Sequence, residues 1–224
     1  MARLAAGRTT AMMAEEIVDV TLQRADDFGL DGLTMATIAA EFNVSQMALY
    51  RHFDSKHDLL QAALDRVWSE AMEVGELPSD PLEVLVTYAM SLWRAFARHP
   101  QMGALIGATP EPSAEIEQAA VAGEAVLQAV GFEPGQLADA YQPVITYVIG
   151  AIALLGSRAE AKGIMGRADS DALRERFRLA AASGPGSEVL TAMVPTMAEA
   201  ETSYERGLRA LVAGLLAEQA RLRP

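Results

Sequence analysis

Apolar side chains recur every three to four residues along almost the whole chain, while runs of strict two-residue alternation rich in β-branched residues are missing. A pattern of that period buries its apolar atoms by packing helix against helix, so the fold expected is all-α. With 224 residues, of which 51% are hydrophobic, there is ample material for a core. No internal repeat or low-complexity tract interrupts the pattern.

Punctuation divides the chain. A first helix is expected from about Thr10 to Phe28, with Ile17, Val20, Leu22 and Ala25 on its apolar faces and Gly29 ending it. Asp31 and Gly32 make a turn. Thr34 caps a short second helix carrying Met35, Ile38 and Ala39, which ends near Phe42 and Asn43, where Asn tolerates the left-handed conformation of a tight turn. Ser45 caps a third helix, Gln46 to Phe53. Ser55 caps a fourth, in which Leu59, Leu60, Ala63, Leu64, Val67 and Trp68 recur at helical spacing. The segment VGELPSDP, Val74 to Pro81, breaks the period and marks a domain boundary. Beyond it, helices are expected at about 81–98, 101–108, 113–130, 135–161, 169–182, 187–199 and 201–221, with Pro143 and Pro195 kinking or splitting two of them. The architecture is then an N-terminal three-helix bundle with a helix-turn-helix over residues 1–55, a connecting helix over 56–74, and a larger helical domain over 75–224.

Two short helices joined by a tight turn have the lengths of a DNA-reading helix-turn-helix. Ile38, Ala39, Val44 and Leu49 suit its interior, and Ala39 is small enough for the two helices to cross closely. Outward candidates are Ser45, Gln46, Met47, Tyr50, Arg51 and His52. Gln pairs with adenine, Met contacts a thymine methyl, and Ser, Tyr, Arg and His reach phosphates; Lys56 adds a point charge close by. Phe53 is expected to pack on the fourth helix instead. Charge runs the other way. The chain carries −12 overall, and residues 1–60 hold five Lys or Arg against nine Asp or Glu, so any DNA contact must be local. The acids gather on the first helix and the turn after it, away from Arg51 and Lys56; Arg3 and Arg8 are further basic helpers.

The run TMATIAAEFNVSQMALYRHFDSKHDLL, with its helix-two Thr, Val-Ser turn, Leu-Tyr pair, His-Phe and following Lys, resembles the DNA-binding signature of TetR-family regulators. The likeness is strongest over about residues 10–65. It implies phosphate contacts by Thr34, Tyr50 and Lys56, and a C-terminal helical domain that dimerises and encloses a small-molecule site. The chain departs from the family pattern at Asn43, where Gly is usual, and at Met47, where a smaller or polar residue is commoner.

The stretch Val144 to Leu155 is apolar around its circumference, and Tyr204, Leu208, Leu211, Val212 and Leu215 form a stripe on the last helix. A homodimer is expected through both helices, with Val148, Ile152, Leu155, Leu208, Leu211, Val212 and Leu215 at the interface. Met90, Trp93, Phe96, Met102, Ile106, Tyr141, Tyr147 and Met165 offer an adaptable lining for a hydrophobic or aromatic effector. The three histidines form no metal-binding pair, no cofactor is called for, and no phosphate loop, nucleophile elbow or catalytic carboxylate pair points to an enzyme. Val144 to Gly156 falls short of the roughly 18 apolar residues of a membrane span. Absent cysteine and a leader interrupted by Glu15 and Glu16 fit a cytoplasmic protein. The partners expected are thus a double-stranded DNA operator, a small-molecule effector and a second copy, without a membrane. The function expected is a dimeric transcriptional repressor of a palindromic operator. The alternative is a ligand-binding or adaptor protein whose degenerate reading head leaves DNA alone.

Overall fold

The computed structural model describes residues 2–106, 113–156, 175, 179 and 197–222; of residues 2–13, 197, 198 and 222 only the backbone is described. Among them there are helices and turns and no strand. The N-terminal bundle comprises α1 (Ala2–Phe28), α2 (Met35–Glu41) and α3 (Gln46–Leu49), and α4 (Lys56–Met72) leads out of it. α1 begins earlier than Thr10 and ends as expected, where Gly29 takes φ +76° and donates its N–H to the Ala25 carbonyl at 2.8 Å. Ile17, Val18, Leu22 and Ala25 are buried, so Val18 rather than Val20 faces the core. Thr21, also buried, donates its hydroxyl back to the Ile17 carbonyl at 2.7 Å.

Ser55 caps α4 by accepting from the Asp58 N–H at 3.1 Å, and Leu59, Ala63, Leu64, Val67, Trp68 and Ala71 form its buried stripe. Fully burying a Leu or Val is worth about 1.5–3 kcal/mol, so this stripe is what fuses the bundle to the rest. α5 (Pro81–Arg98) starts with Asp80 accepting from the Leu82 N–H and Pro81 in the first turn, where its missing N–H costs nothing. α6 (Pro100–Gly103) is one turn. α7 (Ala114–Val130), capped by Ser113, ends at Gly131 with φ +117°. A 3-10 turn, Pro134–Gln136, runs into α8 (137–156), and the last helix is α9 (Met197–Leu222).

Two expected splits do not occur. Residues around Pro143 stay helical, and α9 runs through Ala200 where two helices were expected to meet. Of the expected helix at 169–182 only Glu175 and Leu179 are described, both helical; most of 187–199, the ends of 101–108 and 135–161, and Pro195 lie outside the described residues. Residues 134–156 form a 23-residue stretch long and apolar enough, by length and composition, to cross a bilayer; counting from Val144 had made it too short. Inside this fold it is a packing helix. Val144, Val148, Ile152 and Leu155 are buried, and α6 and α8 cross so closely that a Cβ on Gly103 would lie 3.0 Å from the Ile152 carbonyl oxygen.

α9 is fastened to α5 and α8 by aromatic stacking. Tyr204 lies between Trp93 (6.0 Å) and Tyr147 (5.5 Å), donates its hydroxyl to the Ala89 carbonyl at 3.2 Å, and accepts at its own carbonyl from Tyr147 at 3.0 Å. Arg209 adds a bidentate grip on Glu83. The bundle is tied polarly to the end of α5 by Asp26 with His99 at 2.7 Å, and α4 to α5 by Glu70 with Arg98 at 3.1 Å.

Candidate functional site

The geometry of the helix-turn-helix follows from its caps. Thr34, in extended backbone, accepts the Thr37 N–H at 3.1 Å while the Thr37 hydroxyl accepts the Thr34 N–H at 2.9 Å, a reciprocal cap that fixes where α2 begins. Asn43 closes the turn in the left-handed region at φ +54°, alone among described non-glycine residues. Ser45 stands at the cap position of α3, but its side chain makes no cap bond. α3 is also shorter than expected. Its regular part ends at Leu49, and the N–H groups of His52 and Phe53 both turn back to the Leu49 carbonyl, at 2.9 and 3.0 Å.

Ile38, Ala39 and Leu49 are buried and hold α2 against α3. Val44, expected inside with them, is 39% exposed, because the turn that Asn43 makes directs it outward beside α3. With Leu49 pinned inward, helical spacing turns Gln46, Met47, Tyr50 and Arg51 together toward solvent. Met47 is 69% exposed, and Gln46, Tyr50, Arg51 and Ser45 are exposed as well. His52 is half-buried, and Phe53 packs against the core as expected. Lys56 is half-buried and donates to the Leu30 carbonyl at 3.3 Å, which ties the start of α4 to the α1–α2 turn and leaves it further N–H donors.

The acidity of the bundle is partly neutralised off this face. Arg24 pairs with Glu41 and lies over the Phe28 ring at 4.7 Å, and Arg66 of α4 pairs with Asp19 at 3.4 Å. Arg51 has no ion-pair partner among the described residues, so its charge stays on the exposed face.

A second feature lies between α4, α5, α7 and α8: a cavity of about 380 Å3. Trp68 and Met72 border it from α4, Leu85, Tyr88, Ala89 and Leu92 from α5, Ile106 from the turn after α6, Ile116, Ala119, Ala120, Ala122, Gly123 and Val126 from α7, and Tyr141, Val144, Ile145, Val148 and Ile149 from α8. Of the eight residues expected to line a ligand site, Ile106 and Tyr141 border this cavity. Met90, Trp93 and Phe96 of α5 and Met102 of α6 are buried but do not border this cavity, Tyr147 stacks on Tyr204 of α9, and Met165 lies outside the described residues. α5 is apolar on two faces, and periodicity does not tell a face against a void from a face against side chains. The signal that was there is the set of small residues Ala119, Ala120, Ala122 and Gly123, which leaves room opposite larger ones. Burial pushes the Tyr141 phenol up from its usual range, so it stays neutral. Among the described residues no group of three acidic, His or Cys side chains could hold a metal ion.

The expected dimer residues divide as well. Val148, Ile152, Leu155, Leu208 and Val212 are already buried inside the single chain, so they serve its own core; Leu211 and Leu215 are half-buried. The open faces are Gln142, Thr146, Gly150 and Leu154 on α8, and Ser203, Arg206, Ala210, Ala213, Gly214 and Ala217 on α9. A Cβ on Gly150 or Gly214 would meet nothing within 4 Å among the described residues.

Comparison with known proteins decides the family. Residues 17–63 match the model of bacterial regulatory proteins of the tetR family, and residues 75–219 match the model of the tetracyclin repressor-like C-terminal domain, which alone spans more than half of the chain. The chain belongs to the TetR family. As a TetR-family protein it is a DNA-binding transcriptional regulator. Among its relatives is the tetracycline repressor protein class A from transposon 1721 of Escherichia coli, 29% identical over 210 residues that cover 92% of this chain and 91% of the relative. Two solved structures share the fold. ActR of Streptomyces coelicolor, in complex with actinorhodin, has a TM-score of 0.67 and 23% identity, over 92% of this chain and 97% of that one. BioQ with its natural double-stranded DNA operator has a TM-score of 0.57 and 24% identity, over 81% and 96%. The family match covers both the helix-turn-helix and the larger domain whose helices, with α4, wall the cavity.

Proposed function

We propose that the chain is a cytoplasmic, non-enzymatic repressor that binds a palindromic operator as a homodimer and leaves it when a small, largely hydrophobic effector enters the cavity. The observation that carries this is the α3 surface, where Gln46, Met47, Tyr50 and Arg51 are presented together because Leu49 is anchored on the opposite side. Gln46 and Met47 read base edges, and Tyr50, Arg51, Ser45, Thr34, His52 and Lys56 contact phosphates. Residues 1–55 make the reading head, 56–74 the connecting helix and 75–224 the effector-binding and dimerisation domain.

Dimerisation uses the open faces of α8 and α9. A glycine in mid-helix costs roughly 0.5–1 kcal/mol relative to alanine, and Gly150 and Gly214 have free space where a side chain would go. A second copy approaching closely explains both. The two heads then meet major grooves one helical turn, about 34 Å, apart. α4 couples the sites, since its first turn touches the head through Lys56 while Trp68 and Met72 border the cavity. An effector empties the operator only by binding the released state more tightly, and a shift from 1:99 to 99:1 takes about 5.5 kcal/mol of differential affinity. Support for the ligand also comes from relatives whose names record a drug or a bound small molecule, tetracycline repressor and ActR with actinorhodin.

The test is a footprint of the dimer on DNA upstream of its own coding sequence. Two protected half-sites related by two-fold symmetry are expected, with protection lost on Tyr50→Ala. Protection absent at every upstream position, in low salt, favours the ligand-binding adaptor instead.

A further inference from the structure

The wall that α8 gives the cavity is a single stripe, Tyr141, Val144, Ile145, Val148 and Ile149, spaced three and four residues apart. At 1.5 Å per residue the stripe runs about 12 Å along the helix. One end of it is held by α6, which crosses α8 at Ile152 and leads to Ile106, another lining residue. Tyr141 stands at the other end. It is the largest side chain that α7 or α8 brings to the cavity, and it reaches across to α7: a Cβ built on Gly123 would lie 3.0 Å from Tyr141 Cε2 and 3.9 Å from its Cδ2 and Cζ. Gly123 is in the middle of α7, where glycine is, after proline, the least favoured residue. Its neighbours on the same wall, Ala119, Ala120 and Ala122, are small without giving up helix propensity. Smallness alone therefore does not call for glycine at 123. The Tyr141 ring does, because it rests on bare backbone there.

Resting on the cavity being the effector site, we infer that Tyr141, seated on Gly123, is the end stop that sets how long an effector the cavity accepts, and that residue 123 is thereby a specificity-determining position. A side chain at 123 lifts the ring off α7 and into the void beside it, which shortens the cavity. Removal of the ring opens the same end and lengthens it. A change that merely loosens the domain acts on ligands of every length alike, so the two effects separate in a series of ligands that share one width and differ in length.

The test uses three rigid rods, biphenyl, diphenylacetylene and diphenylbutadiyne, whose end rings are the same and whose length grows by one alkyne at a time. Their binding to the full chain, to Gly123→Val and to Tyr141→Ala is read by displacement of N-phenyl-1-naphthylamine, a dye that fluoresces in apolar surroundings. Relative to biphenyl, the longer rods lose at least about 5-fold in affinity in Gly123→Val, the lower end of the cost of overfilling a packed site, and gain in Tyr141→Ala. Because both substitutions touch packed helices, a further reading comes from the unmodified sequence grown with 3-fluorotyrosine: the Tyr141 fluorine resonance, assigned by its loss in Tyr141→Phe, moves more with the longer rods than with biphenyl. Length preferences that are unchanged in both variants or move in the opposite sense, or a Tyr141 resonance that no rod moves, overturn the end stop and leave the cavity as an effector site. Failure of biphenyl itself to bind the unmodified protein overturns the cavity reading and the inference with it.

Discussion

Gly214→Leu separates a solvent-facing α9 from a dimerising one by the sign of its effect. Gly214 lies well inside α9, and the position its Cβ would take has no atom of the described residues within 4 Å. In a monomer the new side chain therefore displaces nothing. Leu is a far better helix former than Gly, so the substitution gains roughly 0.5–1 kcal/mol, which raises the melting temperature of a chain this size by about 2–4 °C per kcal/mol. If a second α9 packs there, each added side chain overfills a close helix crossing at about 1–3 kcal/mol. Two-fold symmetry applies that twice. Some 2–6 kcal/mol per dimer weakens association by roughly 30-fold to 20,000-fold. Sedimentation across the micromolar range, with thermal melts alongside, reads both quantities. The expected result is dissociation to monomers with loss of operator binding. A dimer of unchanged affinity combined with a higher melting temperature refutes the assignment of this face.

Three further outcomes are expected. Asn43→Val places a β-branched residue at φ +54° and should cost about 1–2 kcal/mol in denaturant unfolding, while Asn43→Gly should be neutral or stabilising. Gly156→Ala puts a methyl 2.9 Å from the Pro100 carbonyl oxygen and 3.2 Å from the Ala104 nitrogen, both backbone atoms that give way poorly, so a loss of about 1–3 kcal/mol is expected in the same assay. Met47→Ala, at a 69% exposed position, should change stability by no more than about 0.5 kcal/mol yet alter affinity for operators that differ at one thymine, measured by competition binding.

Much of the fold and the reading head is written locally in the sequence. Caps are local chemistry, which is why Thr34, Ser55 and Gly29 mark true helix ends and Asn43 a true left-handed turn. The outward set on α3 follows from one inward residue, Leu49, plus helical spacing. What failed depends on neighbours distant in sequence. Val44 is apolar but turned out by the turn before it; Ser45 has the chemistry of a cap without the geometry. α5 and α8 are apolar on more than one side, so composition alone did not reveal that Met90 and Phe96 pack solidly while Leu85 and Tyr88 border a void, or that Val148 and Ile152 belong to the chain's own core. The faces left for a partner are marked by small residues, which a search for large apolar stripes passes over.

The central claim is that α3 binds DNA through a short basic and polar strip on an otherwise acidic head. The most direct measurement is the salt dependence of binding to the upstream DNA for the unmodified dimer, Arg51→Ala and Tyr50→Ala. Each phosphate neutralised contributes about −0.9 to the slope of log K against log salt. The unmodified dimer should show a steep negative slope. Arg51→Ala, which removes one phosphate contact from each of two heads, should flatten it by about 2, and Tyr50→Ala should weaken binding while leaving the slope nearly intact. Binding that is absent, or present but insensitive to salt and to both substitutions, contradicts the account.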